Sequence, residues 1–449
     1  MPLLDGFRGA DTTWAIHWPG APLFYSCLAP LLRDQPWAYP LIFMGLWMGL
    51  AVVSREVARR FTTSPVVLWS VAAAVLLDRA MLGIAGDRRP ELLAALCVMG
   101  WLLAVDRCHR HRASVLHLAC VAFLALAASL CHPVTMACMG GLALLGLAGL
   151  LMKRLPVPLV LAHCLGGVAG AAVFAGRIFW LPHGVEQFMD HVAMNRGTGM
   201  HFNLWAAAVQ SYHPSPSGII GVFLASIYGA WILCRRSHHL PDLFLPRVAA
   251  CTYFGLLASC HLFANSDYIA ITSPLACVLS LAACSQAAQW LNSQWKLSTG
   301  AAFATAAAIF IGGNAACWAH KGRYFWRVGC PDLTGEINQW YATLPADARR
   351  VLIPDHLWEA GAMDTRRSVA FVTPPYSVSD NIRLAYEQRV LAELAPGDLV
   401  VVDSSAKDSL PRLQPWLAEK WPLIARHERS LPTSNAAFWG HRFELYRKP

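Results

Sequence analysis

Pro133-Val-Thr-Met-Ala-Cys-Met-Gly-Gly-Leu-Ala-Leu-Leu-Gly-Leu-Ala-Gly-Leu-Leu-Met152 contains no charged side chain, and Lys153-Arg154 follow it at once. As an α-helix a run of this length reaches about 30 Å, the thickness of the hydrocarbon core of a bilayer. It does not alternate apolar with polar, so it is not a half-buried strand. The basic pair at its end is what a span carries where it meets the cytoplasm.

Nine further stretches read in the same way: Ala38–Val53, Pro65–Leu82, Pro90–Val105, Ser114–Cys131, Val157–Gly176, Gly218–Cys234, Arg247–Ala264, Tyr268–Gln289 and Ser298–Ala319. Composition agrees. Of 449 residues, 56% are hydrophobic and 14% are charged, against roughly 25% charged in a soluble domain. A soluble enzyme, a disordered chain and a fibrous protein are all excluded. The charge is also uneven: residues 320–449 carry 32 Lys, Arg, Asp and Glu, while residues 1–319 carry 31. The expected organisation is an α-helical polytopic membrane protein of about ten spans over residues 1–319, followed by a small exported α/β domain over residues 320–449. Within that last part, Arg350–Pro354, Ser368–Thr373 and Asp398–Asp403 have strand character, and Arg442–Tyr446 reads as a closing strand. Asn381–Leu394 and Ser409–Lys420 read as helices. The 14 cysteines lie mostly in apolar runs and form no C-x-x-C pair, so they read as small buried side chains.

Sidedness follows from the basic residues. Arg55, Arg59 and Arg60, then Arg107, Arg110 and Arg112, then Lys153 and Arg154, then Arg235, Arg236 and Arg247, and finally Lys296 fall on alternate connections. That side is expected to be cytoplasmic. Residues 1–37, the loop 83–89, the long loop 177–217 and the C-terminal part then lie outside. Most carboxylates of the membrane part are on or near the outer side, so any chemistry is expected there. The net charge of +9 belongs to loop topology and implies no nucleic-acid partner. The Arg107-Cys-His-Arg-His-Arg112 tract is read as a topology anchor on the same ground.

Three outer stretches hold candidate site residues. Gly9 to Tyr25 puts Asp11 and His17 among Trp14, Trp18, Pro19 and Pro22, a rigid loop at the membrane surface. Gly86-Asp-Arg-Arg-Pro-Glu-Leu92 opens a span with Pro90 and Glu91 in its first turn, as the helix dipole favours. Arg88 and Arg89 stand beside that helix start on the side where basic residues are not needed for insertion, and make an anion site. The loop 177–217 begins at Arg177 and contains His183, His191, His201 and His213 with Glu186 and Asp190; their spacing is irregular, and an acceptor-binding loop is the better reading than a metal site.

The ordered set of these motifs resembles the GT-C glycosyltransferases. The branch is that of dolichyl-phosphate-mannose protein mannosyltransferases and lipid A aminoarabinose transferases (glycosyltransferase family 39-like). The blocks that carry it are the "HxPG"-type stretch around His17, the Arg89-Pro-Glu91 that opens a span, and Asp267-Tyr-Ile-Ala-Ile-Thr-Ser-Pro-Leu-Ala276, which looks like the late "RY…P" span. The resemblance implies a sugar delivered on a polyprenyl phosphate at the outer leaflet and an acidic base on the acceptor hydroxyl, with Asp11 and Asp5 as the candidates. It also implies basic and polar residues about the lipid phosphate and substrate: His17, Arg88, Arg89, Glu91, Arg177 and Tyr268. Some members use a divalent cation, so one is a candidate cofactor. The expected partners are the polyprenyl-phosphate-sugar donor, a lipid, glycan or protein acceptor, and the membrane itself, in a bacterial inner membrane. Two departures stand out. The family's first span and the acidic pair after it are not evident, which points to a span upstream of Met1 or to an inactive relative. Asp267 also stands where the family has Arg. The alternative readings are a transporter or flippase, and an O-antigen-ligase-like or inactive envelope assembly protein.

Overall fold

The computed structural model describes residues 38–81, 90–111, 114–180, 216–235, 240–263, 266–296, 298–328, 339–354, 367–372, 391–392, 394–403, 413–428 and 442–449, with a few isolated positions besides. Among the described residues, ten helices occupy the first part: α1 (Ala38–Ala58), α2 (Pro65–Leu77), α3 (Pro90–Arg110), α4 (Val115–Cys131), α5 (Pro133–Leu151), α6 (Val157–Trp180), α7 (Pro216–Cys234), α8 (Leu240–Phe263), α9 (Ser273–Trp295) and α10 (Thr299–Val328). A 3-10 segment, Ser266–Thr272, leads into α9. Among the described residues, eight helices are long and apolar enough to cross a membrane. The chain is a multi-pass helical membrane protein. Its surface supports this: Met44, Met48, Trp69, Phe123, Leu144, Leu165 and Phe223 are all exposed, a belt that water would not tolerate and lipid does.

Each expected span has a helix, and the differences have local causes. The expected span Pro65–Leu82 is broken at Asp78, which caps α2 in an extended conformation and accepts the Met81 N–H at 2.9 Å. The carbonyls released by that break are taken up by indoles: Trp47 Nε1 donates to Val75 at 3.2 Å and Trp318 Nε1 to Leu77 at 3.3 Å, with the two rings stacked at 5.5 Å. α8 starts at Leu240, earlier than Arg247, and carries Pro246 inside it. α10 continues past Ala319 to Val328, so a helix crosses the boundary expected at residue 320.

Two helices form the centre. The segment Tyr268–Trp295 is 83% buried, whereas Thr299–Ala316 is 22% buried and faces outward. α9 packs against α1, α2, α7 and α10. α3 packs against α1 and α4. The closest pairing is α4 with α6, made possible by Gly166 and Gly170, a small-xxx-small pair. A Cβ on Gly166 would collide with the Ala122 carbonyl, and one on Gly170 would lie 2.6 Å from Ser129 Cβ.

Residues 350–447 carry a five-stranded sheet in the order β2-β1-β3-β5-β4: β1 (Arg350–Pro354), β2 (Ser368–Val372), β3 (Leu399–Asp403), β4 (Leu423–Glu428) and β5 (Arg442–Arg447), with α11 (Leu413–Lys420) before β4. β1 is parallel to β2 and β3, and β5 is antiparallel to β3 and β4. Both faces are covered, which explains why the strands read as unbroken apolar runs. Val351, Ile353, Leu399, Val401, Phe443 and Leu445 pack with Trp340 and Tyr341. Leu352, Val400, Val402 and Tyr446 pack with Leu391, Leu394, Leu417 and Trp421. Burial and the acceptor Glu444, at 2.7 Å, hold the Tyr446 phenol well above the usual tyrosine range. β4 was not expected from sequence. The expected helix Asn381–Leu394 lies almost wholly outside the described residues.

Gly166→Leu should lower the melting temperature of the detergent-solubilised protein, by overpacking worth about 1–3 kcal/mol. Gly167→Leu, next to it but with open space around its Cβ position, should leave the melt unchanged. Equal effects would mean that α4 and α6 do not meet at Gly166.

Candidate functional site

The helices alternate in direction, so their polar ends gather in two places. One end collects the arginines after α1 and α3. The opposite end is where α2, α4 and α6 finish and where α3, α5 and α9 begin.

At that opposite end the chain between α4 and α5 is a single residue, His132. Pro133 follows it, which bars His132 from helical geometry and places the proline ideally at the first position of α5. His132 is extended (φ −158°, ψ 144°) and acts as the N-cap: its Nδ1 accepts the Val134 N–H at 3.3 Å. Thr135 closes the corner by donating to the His132 carbonyl at 2.8 Å. With Nδ1 accepting, the proton of a neutral ring sits on Nε2. Nε2 faces Glu91 Oε1 at 3.9 Å. Both groups are buried, at 3% and 1% exposure. The edge of the same imidazole meets the Tyr268 ring at 4.3 Å and 83°. Tyr268 is half-buried on the 3-10 segment, and its carbonyl accepts from Cys260 Sγ at 3.4 Å.

Two more charged groups are buried at this end. Arg177 is in the last turn of α6, where a cation suits the helix dipole. It is 2% exposed, and its neighbours Phe174 and Ile178 pack on Met136, one turn beyond His132 on α5. Asp78 is 1% exposed and interacts with Ser273 at the start of α9. The dipole of α9 favours a carboxylate there.

Of the residues expected from sequence, the structure brings Glu91 and Tyr268 together, through His132. It places Arg177, expected at the start of the long loop, in the last turn of α6, where it is buried. Asp5, Asp11, His17, Arg88 and Arg89 lie outside the described residues, as do the histidines of the long loop. Sequence reasoning missed His132 and Asp78. The signal for His132 was present: a lone imidazole directly before a proline, between two apolar runs. Asp78 was hidden inside a run read as one span. Among the described residues no group of three or more His, Cys, Asp or Glu side chains is placed to hold a metal ion.

No protein-family model matches the chain, and no curated protein matches it.

Glu91 and His132 should be energetically coupled. In a cycle of Glu91→Gln, His132→Gln and the double variant, melting in detergent should give a coupling of roughly 1–3 kcal/mol. Additive shifts would show that the 3.9 Å approach carries no interaction.

Proposed function

We propose that this protein is an integral membrane glycosyltransferase that moves a sugar from a polyprenyl-phosphate donor to an acceptor hydroxyl at the outer face of the membrane. One observation carries the reading. Glu91 of the Arg-Pro-Glu block and Tyr268 of the late block are far apart in the chain, yet both sit against His132. These are two of the blocks on which the resemblance to GT-C transferases rests. Chance motifs have no reason to converge on one buried imidazole.

The reaction needs three things: a base for the acceptor hydroxyl, a held acceptor, and stabilisation of an anionic leaving group. Asp11, with Asp5 near it in sequence, is the base. As the hydroxyl oxygen attacks the anomeric carbon, its proton passes to the carboxylate. The bond from that carbon to the phosphate oxygen breaks, and the electron pair leaves with the polyprenyl phosphate. Arg88, Arg89 and Arg177 supply positive charge for that phosphate. Arg177, being buried, acts in a medium where its field is little screened. Glu91 and His132 fix the start of α3. Tyr268 lies on the imidazole and is available to a sugar ring. The exported C-terminal sheet and a bacterial inner-membrane location belong to the same reading.

A second reading, a transporter or flippase, is favoured by one observation. Glu91, His132, His163 and Arg177 are all buried, and ionisable groups inside a membrane bundle mark translocation pathways.

Proteoliposomes loaded with a labelled polyprenyl-phosphate sugar separate the two. Transfer to an added acceptor, lost about tenfold or more in Glu91→Gln and in Arg89→Ala with normal insertion, is the expected result, since each removes a charge that the site needs. Transbilayer movement of the label without transfer would replace the transferase with the flippase. Unchanged transfer in Asp11→Asn would remove Asp11 as the base.

A further inference from the structure

The other end of the bundle is also built. We propose that it holds an anionic phospholipid by its headgroup, on an arginine pair fixed by Asp106. This inference is independent of the transferase reading.

Asp106 lies in the last two turns of α3 and is 1% exposed. Its two oxygens each accept from one arginine: Oδ2 from Arg60 Nε at 2.8 Å and Oδ1 from Arg110 Nε at 2.9 Å. Both bonds use Nε. The two side chains are 34% and 37% exposed, and neither ion pair uses a terminal amino group, which leaves those donors for another anion. A surface arginine ordinarily loses much side-chain freedom when it binds an anion. Here part of that freedom is already lost, because a buried carboxylate holds both guanidinium groups through Nε. One carboxylate against two guanidinium groups leaves net positive charge, and planar forks suit phosphate oxygens. Arg59 stands beside them, its charge offset by Glu56 at 2.7 Å.

The neighbouring surface decides the source of the phosphate. Arg55, on the same helix end as Arg60, places its guanidinium 4.2 Å over the ring of Trp69. Trp69 and Val66, at the start of α2, are each 61% exposed. An indole flanked by a guanidinium is an interfacial anchor. The site thus has a charged part for a headgroup and, beside it, an apolar part for acyl chains. Free phosphate would engage only the first. Basic pockets between spans bind multiply charged phospholipid headgroups on the same physical basis.

The test is native mass spectrometry of the full chain released from micelles that contain cardiolipin and phosphatidylcholine in equal amounts. Retention of cardiolipin over phosphatidylcholine by about tenfold is expected. Arg60→Gln/Arg110→Gln should abolish that preference, while Lys153→Gln/Arg154→Gln, at another basic turn, should preserve it. If the Gln pair does not fold, Arg60→Lys/Arg110→Lys keeps the charge and removes the forks, and should still lose most of the preference. Four results would overturn the proposal: no preference in the unaltered protein, equal loss in the Lys153/Arg154 variant, full preference in the Lys pair, or release of the lipid by excess inorganic phosphate.

Discussion

A backbone amide in hydrocarbon has no water to turn to, so every interruption of a helix inside a membrane bundle must supply its own hydrogen-bond partners. Much of this structure follows from how that demand is met. At Asp78 the partners are a carboxylate and two indoles, from Trp47 and Trp318. At His132 they are an imidazole and the Thr135 hydroxyl. Before α9 the chain tightens into a 3-10 segment closed by Thr272, which donates to Ile269 at 2.7 Å. All three interruptions occur at one end. The polar and ionisable groups gather where the backbone is broken, and a site for chemistry arises where such groups are already required.

The basic end meets the same demand more simply. Lys153 and Lys296 adopt left-handed conformations (φ 54° and 57°), and Lys296 caps α9 by donating its N–H to Asn292. Among the described residues no interruption is buried there. Asp106, buried at that end, is matched by two arginines. The two ends therefore differ in kind. One has a buried interior of mixed polar and ionisable groups, Arg177 among them; the other is a cationic rim.

This difference sets what the sequence could reveal. The positions and order of the apolar helices were legible because a bilayer fixes the length of each apolar run, as Pro133–Leu151 illustrates, although eight of the described helices, not ten, are long and apolar enough to cross. The break at Asp78 was not legible, since one carboxylate near the end of an apolar run looks like a boundary residue until Trp47 and Trp318 are seen to cap the carbonyls. Glu91 was legible by type and place, at a helix start after a proline. Its partner was not: the meeting of Glu91, His132 and Tyr268 depends on how α3, α4 and the 3-10 segment pack, and no local pattern encodes that. β4 escaped for a related reason. Its Leu423–Glu428 run is half polar and gains its strand character from pairing with β5.

The burial of α9 bears on how the protein is made. α9 is enclosed by α1, α2, α7 and α10, so it has little surface to offer lipid. As the chain is synthesised from its N-terminus, α1, α2 and α7 have already left the ribosome when α9 emerges, and only α10 is still to come. The groove for α9 is thus assembled before its occupant, and α10, with its largely outward-facing surface, closes it. Translation order here follows the order in which burial is required.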